Sequence, residues 1–428
     1  MYHSYYQHIK YLTIISLTGI FLLSSCSSSR LAKLDTPLKN ESLLNSFHGL
    51  VVLDAKRNKI VHNTNGDRYF TPASNTKIIT LFTGLKMIPE HFPTLKYVEK
   101  NDSIQIVPSG DPSWLHPYFK DSTATNFLKD KKHISIYLKG SEEERFGPGW
   151  AWEDYGFYFS PEKSPLPLYG NVVSLSNVDG LEASPLFFLD NVMIKNTSVN
   201  REEYKNQFYI HPNEQDSLQV PFIINDNLTK NLLEATLKKK ITLLDSFPSG
   251  KKEILYGIKA DSIFKRMMHE SDNFLAEQIL MTASSTLSDT LGTQRAIKYM
   301  LNEELSFLEH QPRWVDGSGL SRYNLFTPKS FVQILQKLHQ EVDEERLFTL
   351  FPNWNASGTI SKWEDQATQP FIFAKSGSLG NNYNLSGYLK TKSGKLLIFS
   401  FMNNHFRIPS AQIRNTMYST LKKLHDSY

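Results

Sequence analysis

Cysteine is nearly absent: Cys26 is the only one in 428 residues, so the chain can build neither a disulfide framework nor a cysteine-lined metal site. An excess of one charge is missing too. Lys and Arg number 47 against 43 Asp and Glu, and the net charge of +4 is too small and too diluted for a nucleic-acid footprint. The apolar run Tyr11–Leu23 is too short to span a bilayer. The histidines show no H-E-x-x-H or paired spacing, which argues against a metal site, and no cofactor is expected. What the chain does have is core material. Apolar residues make up 40% and aromatic residues 12%, enough for two or three domains.

The N-terminus has a polar start with His3, His8 and Lys10, and the run Tyr11–Leu23 then suits the core of a signal peptide. Leu23-Ser24-Ser25-Cys26, followed by Ser27-Ser28-Ser29, resembles a bacterial lipobox. That resemblance implies cleavage before Cys26 and diacylation of its sulfur; an ordinary secretory signal with an incidental cysteine is the alternative. On the lipobox reading, residues 1–25 are a lipoprotein signal peptide and 26–42 a tether. The lipidated Cys26 would then hold the mature protein to a membrane outside the cytoplasm, and Ser27 in place of an aspartate favours the outer one.

Further along, Gly49–Leu53 and Lys59–His62 predict two strands, with turn residues between them. Pro72 precedes a helical pattern through Lys77–Leu85, so Ser74 is expected at the start of a buried helix. From Pro89 to Gly250 short apolar segments such as Ser103–Val107 and Ile134–Leu138 alternate with turn residues, a mainly β texture. Helices are expected over Ser262–Ser285, over Thr293–Leu308 and from Pro328. Three strands follow, from Phe371, Tyr383 and Leu396, and a closing helix covers Ser410–Leu424. The expected architecture is α+β: an antiparallel sheet flanked by helices, with a helical subdomain and a mainly β insertion. Residues 43–88 and 251–428 form the discontinuous catalytic domain and 89–250 the insert.

Three short motifs carry chemistry. In Ser74-Asn75-Thr76-Lys77 one helical turn brings hydroxyl and ammonium to the same face. A serine hydroxyl needs a neighbour to take its proton, and a lysine whose charged form is disfavoured by burial can do so. The pattern alone is weak, because it recurs at Ser160–Lys163, Ser249–Lys252, Ser262–Lys265 and Ser419–Lys422. Ser271-Asp272-Asn273 is the second motif, with Ser198–Asn200 as a decoy. Lys375-Ser376-Gly377-Ser378 is the third, and Lys392-Ser393-Gly394 reads as a hairpin turn instead. The order S-x-x-K, S-x-N, K-[ST]-G, each in a fitting context, is the set of penicillin-binding proteins and class A β-lactamases.

Ser109-Gly110-Asp111-Pro112, Gly149-Trp150-Ala151-Trp152-Glu153-Asp154 and Asp316-Gly317-Ser318-Gly319-Leu320-Ser321-Arg322, with the long insert between the first two motifs, resemble low-molecular-mass class C penicillin-binding proteins of the penicillin-binding protein 4 type. The resemblance runs from about Gly49 to the end. It implies a serine D-alanyl-D-alanine carboxypeptidase and endopeptidase acting on peptidoglycan stem peptides and crosslinks, and acylated by β-lactams. Carried over by residue, Ser74 is the nucleophile and Lys77 its base. Ser271 relays a proton toward the leaving amine, held by Asn273 and Lys375. Lys375 also helps keep Lys77 neutral, and Ser376 and Gly377 meet the terminal carboxylate. The backbone amides of Ser74 and Ser378 form the oxyanion hole. Asp154, Phe159 and Arg322 line the pocket for the third residue of the stem peptide, where Gly380 replaces a residue often polar in relatives.

Blander readings stand beside these. The aromatic cluster Trp150–Phe159 can be domain core or a sugar platform, and Asp316–Gly319 can be a plain tight turn, with Arg322 the functional member. A β-lactamase would share the acylation machinery but needs a deacylating glutamate; Glu303 and Glu304 lie in the right region, yet neither has an asparagine four residues on. A catalytically silent cell-wall lipoprotein is the alternative of another kind.

Overall fold

The computed structural model describes residues 45–214, 216–354, 358–360 and 370–428. The expected signal peptide, the expected lipidation site Cys26 and the expected tether lie outside the described residues. The chain opens with β1 (Phe47–Asp54), β2 (Lys59–Thr64) and, after a 3-10 turn over Ala73–Thr76, helix α1 (Lys77–Met87). Then come β3 (His91–Lys100), β4 (Ser103–Pro108), α2 (Thr123–Lys129), β5 (His133–Ile136), β6 (Val172–Ser176), β7 (Glu182–Ser184), β8 (Val192–Ile194), β9 (Phe208–Ile210), β10 (Leu218–Pro221), α3 (Asp226–Leu237), β11 (Ile241–Leu243) and β12 (Glu253–Lys259). Helices α4 (Ala260–His269), α5 (Asn273–Ser284), α6 (Thr293–Tyr299), α7 (Pro328–Glu341) and α8 (Glu344–Leu350) follow. Strands β13 (Ile372–Leu379), β14 (Asn382–Lys390), β15 (Leu396–Asn404) and helix α9 (Ser410–Ser427) close the chain.

The main sheet has the order β13-β14-β15-β1-β2 and is antiparallel throughout. Its central strands are buried on both faces, so they read as near-continuous apolar runs rather than alternating ones. Side chains still alternate by face. Leu50 and Val52 of β1 join Phe399 and Phe401 of β15 and Ile413, Met417 and Leu421 of α9 in one core. Val51 and Leu53 turn to the other side, where Ile78 and Phe82 of α1 and Phe331 and Leu335 of α7 cover them. Helix α1 is buried from Lys77 to Gly84, as expected of a helix apolar nearly all round.

The insert has its own core, with Ile104, Ile106, Ile136, Val173 and Leu232 among its fully buried members. Its larger sheet, β11-β5-β4-β3-β12, takes an edge strand from Glu253–Lys259, past the sequence-expected boundary at residue 250. Two small sheets, β10-β6-β7 and β8-β9, complete it.

Two helical expectations are corrected. The stretch Ser262–Ser285 is two helices, broken where Ser271 adopts a left-handed φ of 57°. Asp272 is the N-cap of the second helix, its carboxylate accepting from Leu275 N at 3.0 Å. The helix from Thr293 passes into a π-helical turn at Met300–Glu304 and stops before Leu305.

Leu421 is fully buried between α9 and the sheet. Its replacement by alanine is expected to cost about 2–5 kcal/mol, read as a lower denaturant midpoint with an unchanged slope.

Candidate active site

The turn that carries Ser74 is pinned to the main sheet before any chemistry is considered. Asn404 Oδ1 accepts from Thr71 N at 2.7 Å, Asn384 Nδ2 donates to Pro72 O at 2.9 Å, and Asn75 Nδ2 donates to Ser386 Oγ at 2.8 Å. The pinning holds Ala73 at a φ of 49°, a strained value for a residue with a Cβ. It brings β13 so close that a Cβ on Gly377 would stand 2.5 Å from Pro72 O and 2.9 Å from Ser74 N; only glycine fits. Ser74 sits in the first 3-10 turn, where its N–H has no intrahelical acceptor.

Lys77 is fully buried. Its Nζ lies 2.9 Å from Ser74 Oγ, 2.6 Å from Asn273 Oδ1 and 2.7 Å from Ser318 O. Burial lowers its pKa to about 8, against the opposing pull of the carboxylates of Asp316, Asp272 and Glu277. Lys375, also buried, is pushed well below the usual lysine range, first by burial and then by the charge of Lys77. The two ammoniums disfavour one another when both are charged.

The loop Asp316–Gly319 is more than a tight turn. Asp316 accepts from Trp150 Nε1, Gly319 N, Ser321 N and Asn324 Nδ2 at 2.7–2.9 Å. The loop packs so closely that a Cβ on Gly317 would meet Ala276 O at 2.5 Å. Its contact with the reactive lysine is the Ser318 carbonyl, which has no side-chain signature. Arg322 is instead exposed, with Nη2 3.7 Å from where a Cβ on Gly380 would lie.

A cleft of about 590 Å³ opens over Ser74, lined by Asp154, Phe159, Ser271, Asn273, Ser378 and Gly380 among others. Of the expected site residues, the structure joins Ser74, Lys77 and Asn273 directly. Ser271 is at the cleft but forms no hydrogen bond with Asn273 or Lys375; the Lys375 ammonium donates to Ser376 O at 2.9 Å. Asn273 Nδ2 donates to Phe159 O at 2.8 Å, so Phe159 enters the site through its backbone as well as its ring. The Asp154 carboxyl is raised by burial and by Glu153, while Arg322 opposes the shift. Thr359 went unpredicted: its hydroxyl is 2.7 Å from Ser376 Oγ and lines the cleft. A lone threonine in a loop offers no periodicity or spacing by which to find it.

The remaining sequence features also have places. Lys163, Lys252 and Lys422 of the decoy motifs pair with Glu143, Asp289 and Asp426, and Lys392-Ser393-Gly394 is the β14–β15 turn. Ser109 Oγ donates to Thr94 O at 2.6 Å within the insert, and Gly110 joins the insert to the helical core, its carbonyl accepting from Gln278 Nε2 at 2.9 Å. Glu304 is ion-paired to Lys86 at 3.0 Å and Glu303 is exposed; neither lines the cleft.

Known proteins share this fold. The D-alanyl-D-alanine carboxypeptidase DacB of Haemophilus influenzae is 22% identical over 97% of this chain and 99% of its own length. The crystal structure of penicillin binding protein 4 from the same organism superposes with a TM-score of 0.72 at 18% identity, covering 92% of this chain and 99% of its own. A predatory peptidoglycan endopeptidase from Bdellovibrio bacteriovorus gives a TM-score of 0.50 at 15% identity over 90% and 94%. Residues 30–241 and 222–424 match one peptidase family, and on that match the chain belongs to the D-Ala-D-Ala carboxypeptidase 3 (S13) family.

Proposed function

We propose that this protein is a serine D,D-peptidase of peptidoglycan. It removes the terminal D-alanine of stem peptides and opens D-alanyl-diaminopimelyl crosslinks through an acyl-enzyme on Ser74, and penicillins acylate the same serine. The observation that carries this reading is the Lys77 amine held between Ser74 Oγ, Asn273 Oδ1 and Ser318 O. A neutral amine has two hydrogens and one lone pair. With the hydrogens given to Asn273 and Ser318, the lone pair faces the Ser74 hydroxyl, which is the geometry of a general base.

In acylation Ser74 Oγ bonds to the D-alanyl carbonyl carbon and its proton passes to Lys77 Nζ. The oxyanion lies between the backbone amides of Ser74 and Ser378. The C–N bond then breaks, and the leaving amine takes up the proton held on Lys77 by way of the Ser271 hydroxyl at the cleft, which returns Lys77 to its neutral form. Water later attacks the ester, gives its proton back through the Lys77 amine and frees Ser74. Ser376, with Thr359 beside it, holds the terminal carboxylate, and Lys375 adds its donors behind them. Asp154 and Arg322 bring opposite charges to the rim near Phe159, which suits a third residue carrying both an amine and a carboxylate. No observation favours a β-lactamase, because neither Glu303 nor Glu304 reaches the cleft. The reactive groups converge too closely for a silent scaffold.

The protein works in the bacterial cell envelope. Among the described residues no helix is long and apolar enough to cross a membrane, and attachment to the outer membrane would rest on the lipidated Cys26.

A fluorescent penicillin is expected to label the protein stably, and Ser74→Ala to abolish labelling; rapid turnover of the label, or labelling that survives Ser74→Ala, would sink the reading. On purified muropeptides both D-alanine release and crosslink cleavage should disappear together in that variant. Because Lys77 must be neutral to accept a proton, acylation should rise with pH through a limb near its pKa of about 8, and a flat profile would argue for another base. Gly377→Ala, whose methyl must push the Pro72–Asn75 backbone aside, should acylate slowly, with a loss of roughly hundredfold if it displaces one oxyanion donor.

A further inference from the structure

Glu277 plays no part in the motifs, yet it is buried at the centre of the site. It stands one helical turn beyond Asn273 on α5. Its carboxylate accepts from Ser318 N at 2.8 Å and from Gly317 N at 3.2 Å. From the other side, Thr80 Oγ1 of α1 donates to Gly317 O at 2.6 Å. The same short backbone segment then offers Ser318 O to Lys77 Nζ at 2.7 Å. Glu277 and Thr80 thus fix the carbonyl that touches the general base.

We propose that Glu277 is a positioning residue for the Ser74 acylation reaction, holding the Ser318 carbonyl on Lys77 and setting, through its charge, the pH at which Lys77 becomes a base. The inference rests on the acyl-enzyme reading above. The charges that face Glu277 come from every element packed around it. Asp316 lies in the same loop and Lys163, paired with Glu143, in the insert. Lys77 projects from α1, with Lys375 beyond it on β13, and Asp272, near Arg266, caps α5. Burial and the Asp316 charge raise the Glu277 carboxyl to about 7, while Lys163 and the two backbone donors oppose the rise. Glu277 therefore changes charge close to the range in which Lys77 does.

The sign follows from electrostatics. An ionised Glu277 favours the lysine ammonium and raises the Lys77 pKa. Removing that negative charge while keeping an acceptor for Ser318 N lets Lys77 lose its proton at lower pH.

The test is the pH profile of penicillin acylation in the full chain. Glu277→Gln should move the limb to lower pH by roughly one unit. Glu277→Ala, which loses the clamp, should slow acylation tenfold or more at its own pH optimum. Glu277→Asp keeps the charge and shortens the reach, so it should acylate slowly with the limb where wild type has it. A Glu277→Gln limb that coincides with wild type at wild-type rate overturns the inference, as does an acid-shifted limb in Glu277→Asp. If Glu277→Gln does not fold, the Glu277→Asp profile decides alone. Wild-type protein that is never labelled at Ser74 sinks the acyl-enzyme reading itself, whereas wild-type labelling with an unmoved Glu277→Gln limb sinks only this inference.

Discussion

A lysine amine buried with all three of its hydrogen-bonding directions occupied is the constraint on which the rest of this structure depends. Leaving a buried ammonium unpaired costs several kcal/mol, so each acceptor around Lys77 has to be in place. The acceptors come from three separate parts of the chain: Ser74 from the turn before α1, Asn273 from the start of α5, and Ser318 from the loop before α7. Meeting that demand forces backbones together. Glycine appears where they meet, at 317 against Ala276 O and at 377 against Pro72 O. Strain appears there too, in the left-handed φ of Ala73 and Ser271, the pattern expected where surrounding structure over-determines a functional site.

The insert belongs to the same system of ties. Asn273 reaches both Lys77 and the Phe159 carbonyl, and Gln278, further along α5, donates to Gly110 O and Ser164 O. Trp150 donates to Asp316, so the aromatic segment is anchored to the loop that carries Ser318. A domain with its own hydrophobic core is in this way bound to the catalytic domain through polar contacts at the cleft, and its Asp154 and Phe159 form one wall of that cleft.

Much of this was legible in the sequence. Strands β1 and β15 of the main sheet stood out because burial on both faces makes them long apolar runs, and the three motifs stood out by order and context. What escaped notice shares a physical cause. The Ser318 and Phe159 carbonyls act through the backbone, which every residue possesses. The break at Ser271 is set by tertiary contacts that override a helical pattern, and Asp272 caps the helix that follows it. Strand β12 lies past the expected boundary because pairing with β3 is non-local. Arg322 was favoured over its own motif because a charged side chain is easier to read than a loop conformation.

The charge arrangement around Lys77 serves one half of the reaction at the expense of the other. Asp316, Asp272 and Glu277 raise the lysine pKa, which makes the neutral base scarcer before attack. In the proposed mechanism the same carboxylates favour the ammonium that forms as Ser74 bonds to the substrate. Only stabilisation that is greater in the transition state than in the ground state accelerates the step, and a lysine partly neutral near pH 8 gains that benefit while keeping a usable population of base. Lys375 faces the opposite balance, lowered by burial and by Lys77 itself. Two ammoniums in one buried site repel each other, so burial and mutual repulsion together disfavour carrying both charges at once.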